Sequence, residues 1–126
     1  MNQYTPQHLI KWLQSVIDKI NELERQGLEA VETGDQDAYI AIMRAKAEAL
    51  AALNDEAQPY LDEIDDDEAL DYAERGFGAY SHNASKALDL NSVFYMSALL
   101  FPEEHQPGDR HNLEIFRDDL IEKLGL

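Results

Sequence analysis

From Thr5 to Asp35 the chain reads TPQHLIKWLQSVIDKINELERQGLEAVETGD, one long apolar stripe with a start signal before it and a stop signal after it. Thr5 followed by Pro6 is a helix N-cap with a first-turn proline. Leu9, Leu13, Val16, Ile20 and Leu23 then fall at alternating steps of four and three, which is one face of a helix. Ile10, Trp12 and Ile17 widen that face beyond a two-stranded seam and favour a bundle core. The helix should stop near Thr33, where Gly34 can take a left-handed turn and Asp35 can cap the next helix. At 1.5 Å per residue, a first helix of about 27 residues is roughly 40 Å long. That length suits an up-and-down bundle better than a globin-like ball.

The rest of the chain repeats the helical period. A second helix carries Tyr39, Ile42, Met43, Lys46, Ala49, Leu50, Leu53 and Ala57, so the hairpin spans 6–57 with its turn at Thr33-Gly34-Asp35. Pro59 removes a hydrogen bond and disfavours helix at Gln58, which predicts an end near Ala57. A kinked continuation is the alternative. An acidic connector follows over 58–68, with Asp65 and Glu68 spaced as a capping box. A third helix over 66–88 shows Leu70, Ala73, Phe77, Tyr80, Ala84 and Leu88, with Gly76 and Gly78 marking a close contact or a local break. A fourth covers 91–101. Its Val93–Phe101 stretch is apolar nearly all round and should be the most buried piece of chain. After a loop, Asp109 caps a last helix over 109–124, which Gly125 ends. No stretch alternates with period two for long enough to be a strand. The expectation is an all-α, up-and-down bundle of four to five helices forming one domain over 1–126, with a long N-terminal antiparallel hairpin.

Composition limits the function classes. The chain has 126 residues, 44% of them apolar, enough for a core and too many for a disordered acidic tail. With no Cys there is no disulfide, thiolate site or cysteine nucleophile. The N-terminal residues lack a basic segment followed by an apolar one, and no run approaches a membrane span, so the expected compartment is the cytoplasm. Ten scattered Lys and Arg make no basic stripe, so direct nucleic-acid binding is disfavoured. Ser81-His82 lacks a nucleophile elbow, and Gly76-Phe77-Gly78 lacks the strand and lysine of a phosphate loop. No catalytic residue and no cofactor is expected.

The formal charge of −16 comes mostly from Asp55–Glu74, which holds ten acids and no base in twenty residues. Such a block repels nucleic acid and anionic membrane and attracts a partner with a basic surface. Asp62, Glu63, Asp66, Asp67, Asp71 and Glu74 are the candidate contacts within it. On a helix, Asp67, Asp71 and Glu74 share one side at spacings of about 5–6 Å, close to those of nucleic-acid phosphates, so an acidic DNA mimic is an alternative reading. Phe77, Phe94, Tyr95 and Phe101 are candidates to line a groove for a partner helix, although aromatic residues at this spacing are usually core. A third reading places a divalent metal, or an enzyme site, on His105, His111, Glu114 and Asp118, the last three sharing a helix face. Arg110 and Arg117 beside them favour ordinary ion pairing instead.

The first 64 residues resemble the long helical hairpin of small flagellar and type III export chaperones, with Gly34-Asp35 at the tip. That resemblance rests on helix pattern and turn, covers half the chain, and implies a partner-binding bundle. The function expected from the sequence is thus a non-enzymatic interaction module: a small chaperone, adaptor or inhibitor. A homodimer through the hairpin is possible, whereas like acidic faces would repel one another.

Overall fold

The stripe that starts at Leu9 is buried in the computed structural model, which describes residues 5–102, 104–106 and 108–126. Helix α1 (Pro6–Thr33) encloses Leu9, Leu13, Ile17 and Ile20 completely. Gly34 takes the left-handed turn at φ 74, and Asp35 accepts the Ala38 N–H at 3.1 Å to open α2 (Gln36–Ala51). The two helices run antiparallel, with Met43 and Ile42 against Gly27, and Lys46 against Glu24. Then come α3 (Leu53–Leu61), α4 (Asp67–Asp89), α5 (Val93–Ala98) and α6 (Asn112–Leu124), and all regular elements of the described residues are helical.

Cross-helix bonds set the chain directions. Leu50 and Asn54 meet Ser81, Tyr72 meets Asp119, Tyr80 meets Asn112, and Arg117 and His111 reach back to Gln14 and Asn21. Rods α1, α2–α3, α4 and α6 therefore alternate in direction around one core, the first three joined by short connections and α6 reached through α5 and a loop. Leu13, Ile17, Leu53, Phe77, Leu113 and Leu120 lie in that core. A smaller cluster of Met43, Ala47, Ala87 and Met96 seats α5 on α2 and α4.

The second rod does not end near Ala57, as expected from Pro59; it breaks at Ala52 and continues as helix through Pro59 to Leu61. Ser81 Oγ accepts the Asn54 N–H at 2.9 Å and donates to the Leu50 carbonyl at 3.0 Å. A straight helix would join those two groups directly. A side-chain hydroxyl inserted into the ladder is a known cause of kinking. Pro59 sits inside the last turns of α3, where the carbonyl it cannot donate to belongs to exposed Asp55, within reach of water.

Other boundaries also differ. Asp66, not Asp65, caps α4, accepting the Glu68 N–H at 3.0 Å. Helix α4 runs through both glycines, and Gly76 marks a close contact: a Cβ there would stand 2.1 Å from Phe116 Cε1, while one at Gly78 meets open space. The Val93–Phe101 stretch is not the most buried. Helix α5 has six residues, and Met96 is its buried residue, because so short a helix can seat only one face. Helix α6 starts two residues later than an Asp109 cap would give; Asp109 instead accepts the Gln106 N–H within the loop at 3.1 Å. No helix among the described residues is long and apolar enough to cross a membrane.

Candidate protein interaction site

The acids expected to meet a partner stand at the end of the bundle where α3 gives way to α4. Asp62, Asp66, Asp67, Asp71 and Glu74 are exposed and Glu63 is half-buried. Asp66 is occupied as a cap, and Asp71 pairs with Arg75 at 3.0 Å, both side chains in water. Asp67, Asp71 and Glu74 follow one another at steps of four and three, on one face of α4. Beside them a cleft of about 510 Å³ lies between α4 and α6, lined by Asp66, Glu68, Tyr72, Asp119 and Lys123. Tyr72 donates its phenol to Asp119 at 2.9 Å, and Lys123 Nζ sits 4.9 Å from the ring centroid. Burial first, then Asp119, pushes the Tyr72 phenol up to about 12. Tyr80, whose hydroxyl donates to the Asn112 carbonyl at 3.1 Å, is raised to about 12, mainly by burial.

The four aromatic candidates part company. Phe77 is fully buried, between Trp12 at 5.7 Å and Phe116 at 5.0 Å between ring centroids, so it belongs to the core and not to a partner groove. Phe101 is half-buried and turned inward, with Lys46 Nζ 4.8 Å from its ring centroid and the His105 ring at 4.9 Å. Phe94 and Tyr95 remain as surface candidates, 76% and 54% exposed and edge-on to each other at 5.7 Å. Leu90, 56% exposed, precedes Phe94 by four positions, at the end of α4. Tyr95 and Leu90 border a groove of about 530 Å³ between the end of α4, α5 and the start of α6. Ala87, Ala98, Leu99 and Leu100 line it with apolar surface, and Asn83, Lys86 and Asn112 add polar groups. Leu100 adopts φ 76, a left-handed conformation that costs a leucine on the order of 1–3 kcal/mol. Its carbonyl accepts the Asn112 N–H at 3.0 Å, which fixes that edge of the groove. Both lie along α4; at 1.5 Å per residue, the nine positions from Glu74 to Asn83 put roughly 14 Å between the acids and the near edge of the groove.

The structure also gathers a polar cluster that the charge pattern did not announce. Lys46 is wholly buried, with Nζ 2.7 Å from Glu24 Oε1 and donating to the Ser97 carbonyl at 3.1 Å. Glu24 Oε1 is itself shielded from water, and the ion pair is its polar contact there. Burial pushes the Lys46 ammonium below its ordinary value, against the opposing pull of Glu24. The signal was in the sequence: Lys46 falls on the apolar stripe of the second helix.

The four metal candidates are spoken for and do not converge. His105 Nε2 lies 2.9 Å from the Asp109 carbonyl oxygen. His111 caps α6 from a buried position, with Nε2 on Asn21 Oδ1 at 2.9 Å. Glu114 accepts the His111 backbone N–H at 3.1 Å, and Asp118 pairs with Arg110 and Arg117. The ion pairing expected here falls to Asp118, whereas His111 is drawn inside, its ring 5.9 Å from that of Phe101. Among the described residues no group of three His, Asp or Glu side chains could hold a metal ion. No family model, curated protein or solved structure matches the chain.

Proposed function

We propose that this chain is a non-enzymatic interaction module, in the manner of a small chaperone, adaptor or inhibitor, which holds another protein at the α4–α5–α6 groove. One observation carries the reading: Tyr95 stands in water at the groove's edge with the exposed Phe94 ring against it, while Phe77, Phe116 and Trp12 pack inward. Exposed aromatic side chains beside a groove of mixed apolar and polar lining are what interface centres are made of. The acidic end supplies the second half of the reading. Its field favours partners with a basic surface and speeds their approach, while the groove supplies the contact that holds them.

A second reading has its own observation. Asp67, Asp71 and Glu74 are exposed along one face of α4, the arrangement an acidic DNA mimic would use against a nucleic-acid-binding protein.

The two readings separate in a capture experiment at roughly 50 and 300 mM salt, where charge-built complexes weaken by orders of magnitude. Three immobilised forms are compared: the native chain, a Phe94→Ser/Tyr95→Ser variant, and an Asp67→Asn/Asp71→Asn/Glu74→Gln variant. Groove binding predicts a stoichiometric partner that survives the higher salt and the loss of the acids but is lost with the aromatic pair. A partner lost with the acids and the salt, yet kept by the aromatic variant, would replace this reading with the mimic. A capture profile that responds to neither variant would end both.

A further inference from the structure

His111 is an unusual residue to find at a helix start, since N-caps are ordinarily Ser, Thr, Asp or Asn. It works here because a neutral imidazole has one nitrogen with a lone pair and one with a proton. Nδ1 accepts the Glu114 N–H at 3.3 Å, taking up one of the free donors of the first turn of α6. Nε2 then carries the proton and donates to Asn21 Oδ1 on α1 at 2.9 Å. One ring thus closes the start of α6 and ties it to α1. The next residue, Asn112, donates its N–H to the Leu100 carbonyl, so the strained end of the α5–α6 connection is fastened at the same place.

We infer that His111 is a proton-operated latch, which closes the α5–α6 connection onto α1 when neutral and frees it when protonated. A second proton must go on Nδ1, the atom that is already accepting the Glu114 N–H. Two donors then face each other and the cap is lost. The surroundings resist the new charge. Lys46 on α2 brings a buried ammonium near the ring, and His105 lies in the connection itself. Glu24 on α1 is spent on Lys46. Glu114 on α6 is the favourable neighbour, with Oε1 3.5 Å from Nε2, although the same oxygen already accepts the His111 backbone N–H. Burial, the largest influence, and Lys46 lower the affinity of His111 for a proton, against Glu114. The latch therefore holds fully above the ordinary imidazole range near pH 6.5 and weakens as pH falls below it.

Leu100 and Asn112 line both the latch and the groove, so protonation loosens one wall of the groove. Only that consequence rests on the groove being a docking site; the latch itself is tested with the free protein. The test is amide hydrogen exchange and histidine ring NMR on the full chain, at about pH 7.5 and about pH 5. The ring nitrogens of His111 should report a proton on Nε2 at the higher pH and a titration midpoint below the ordinary imidazole value. Protection of the Glu114 amide, corrected for intrinsic exchange, should fall about tenfold at the lower pH, the loss expected of one capping bond. His105→Gln should keep that response. His111→Asn, a good cap that does not titrate in this range, should abolish it. A proton on Nδ1 at the higher pH, or a midpoint at or above the ordinary value, would overturn the latch even if His111→Asn failed to fold. So would an undiminished pH response in that variant.

Discussion

The two ends of this bundle treat charge in opposite ways. Where α3 meets α4, acids crowd together and nearly all point into water. Where α2 passes under α5, one lysine and one histidine are drawn inside with one oxygen of a half-buried glutamate, and each is matched to a named partner. The first end dominates the net charge and the second is where individual charges matter to stability. Exposed charges interact through a high dielectric and are screened by salt, whereas removing one member of a buried pair strands the other.

The sharpest way to break the comparison is Glu24→Ala. It leaves the buried Lys46 ammonium without its carboxylate, facing the Ser97 carbonyl and the Phe101 ring, and should cost about 3 kcal/mol in urea unfolding. Lys46→Met with Glu24→Leu, which removes both charges and keeps the volume, should restore most of that loss. If Glu24→Ala cost no more than a surface substitution, the ion pair would carry no such role.

Packing shows the same dependence on place, between two glycines in α4. Gly76→Ala drives a methyl into the Phe116 ring and should cost about 2 kcal/mol. Gly78→Ala meets open space and should gain about 0.5–1 kcal/mol from helix propensity alone. Equal effects at the two positions would mean that Phe116 does not lie over Gly76.

Asp119, at the acidic end, is an acid with a structural partner, and alkaline pH exposes it. Tyr72 and Tyr80 have raised phenol values in the fold, so their contribution is whole below the unfolded phenol value of about 10 and is lost as pH rises toward about 12. Unfolding followed across that window, alongside tyrosinate absorbance, should show the loss. Tyr72→Phe, which cannot ionise, should remove the Tyr72 share of that loss and leave the share of Tyr80. A fold that stayed equally stable through the window would contradict the Tyr72–Asp119 bond.

What could be read from the sequence was what one helix settles by itself. The first helix, the turn at Gly34 and the stop at Gly125 are local signals, and each is where it was expected, although Ile17 is fully buried where Val16 and Leu23 are only half-buried. Features made between helices were harder to read. The kink at Ala52 is caused by a serine 31 positions from Leu50, so proline, the local suspect, was the wrong one. The His111 cap needs Asn21, 90 positions away. Phe77 and Phe94 both sit in apolar surroundings in the sequence, and only the packing of α4 against α1 and α6 puts one inside and leaves the other out. For the candidate site, the acids and the Phe94–Tyr95 pair were legible, while Leu90, Lys86 and Leu100 became part of it only through the meeting of α4 and α5.

The smallest expected effect bears most directly on the sorting of charge. Melting temperature measured against added NaCl should rise, because salt relieves repulsion among carboxylates held side by side in water. The slope should flatten in the Asp67→Asn/Asp71→Asn/Glu74→Gln variant. A melting temperature that fell with salt would mean that the acids between Asp55 and Glu74 are held in stabilising ion pairs, and the contrast between the two ends would be lost.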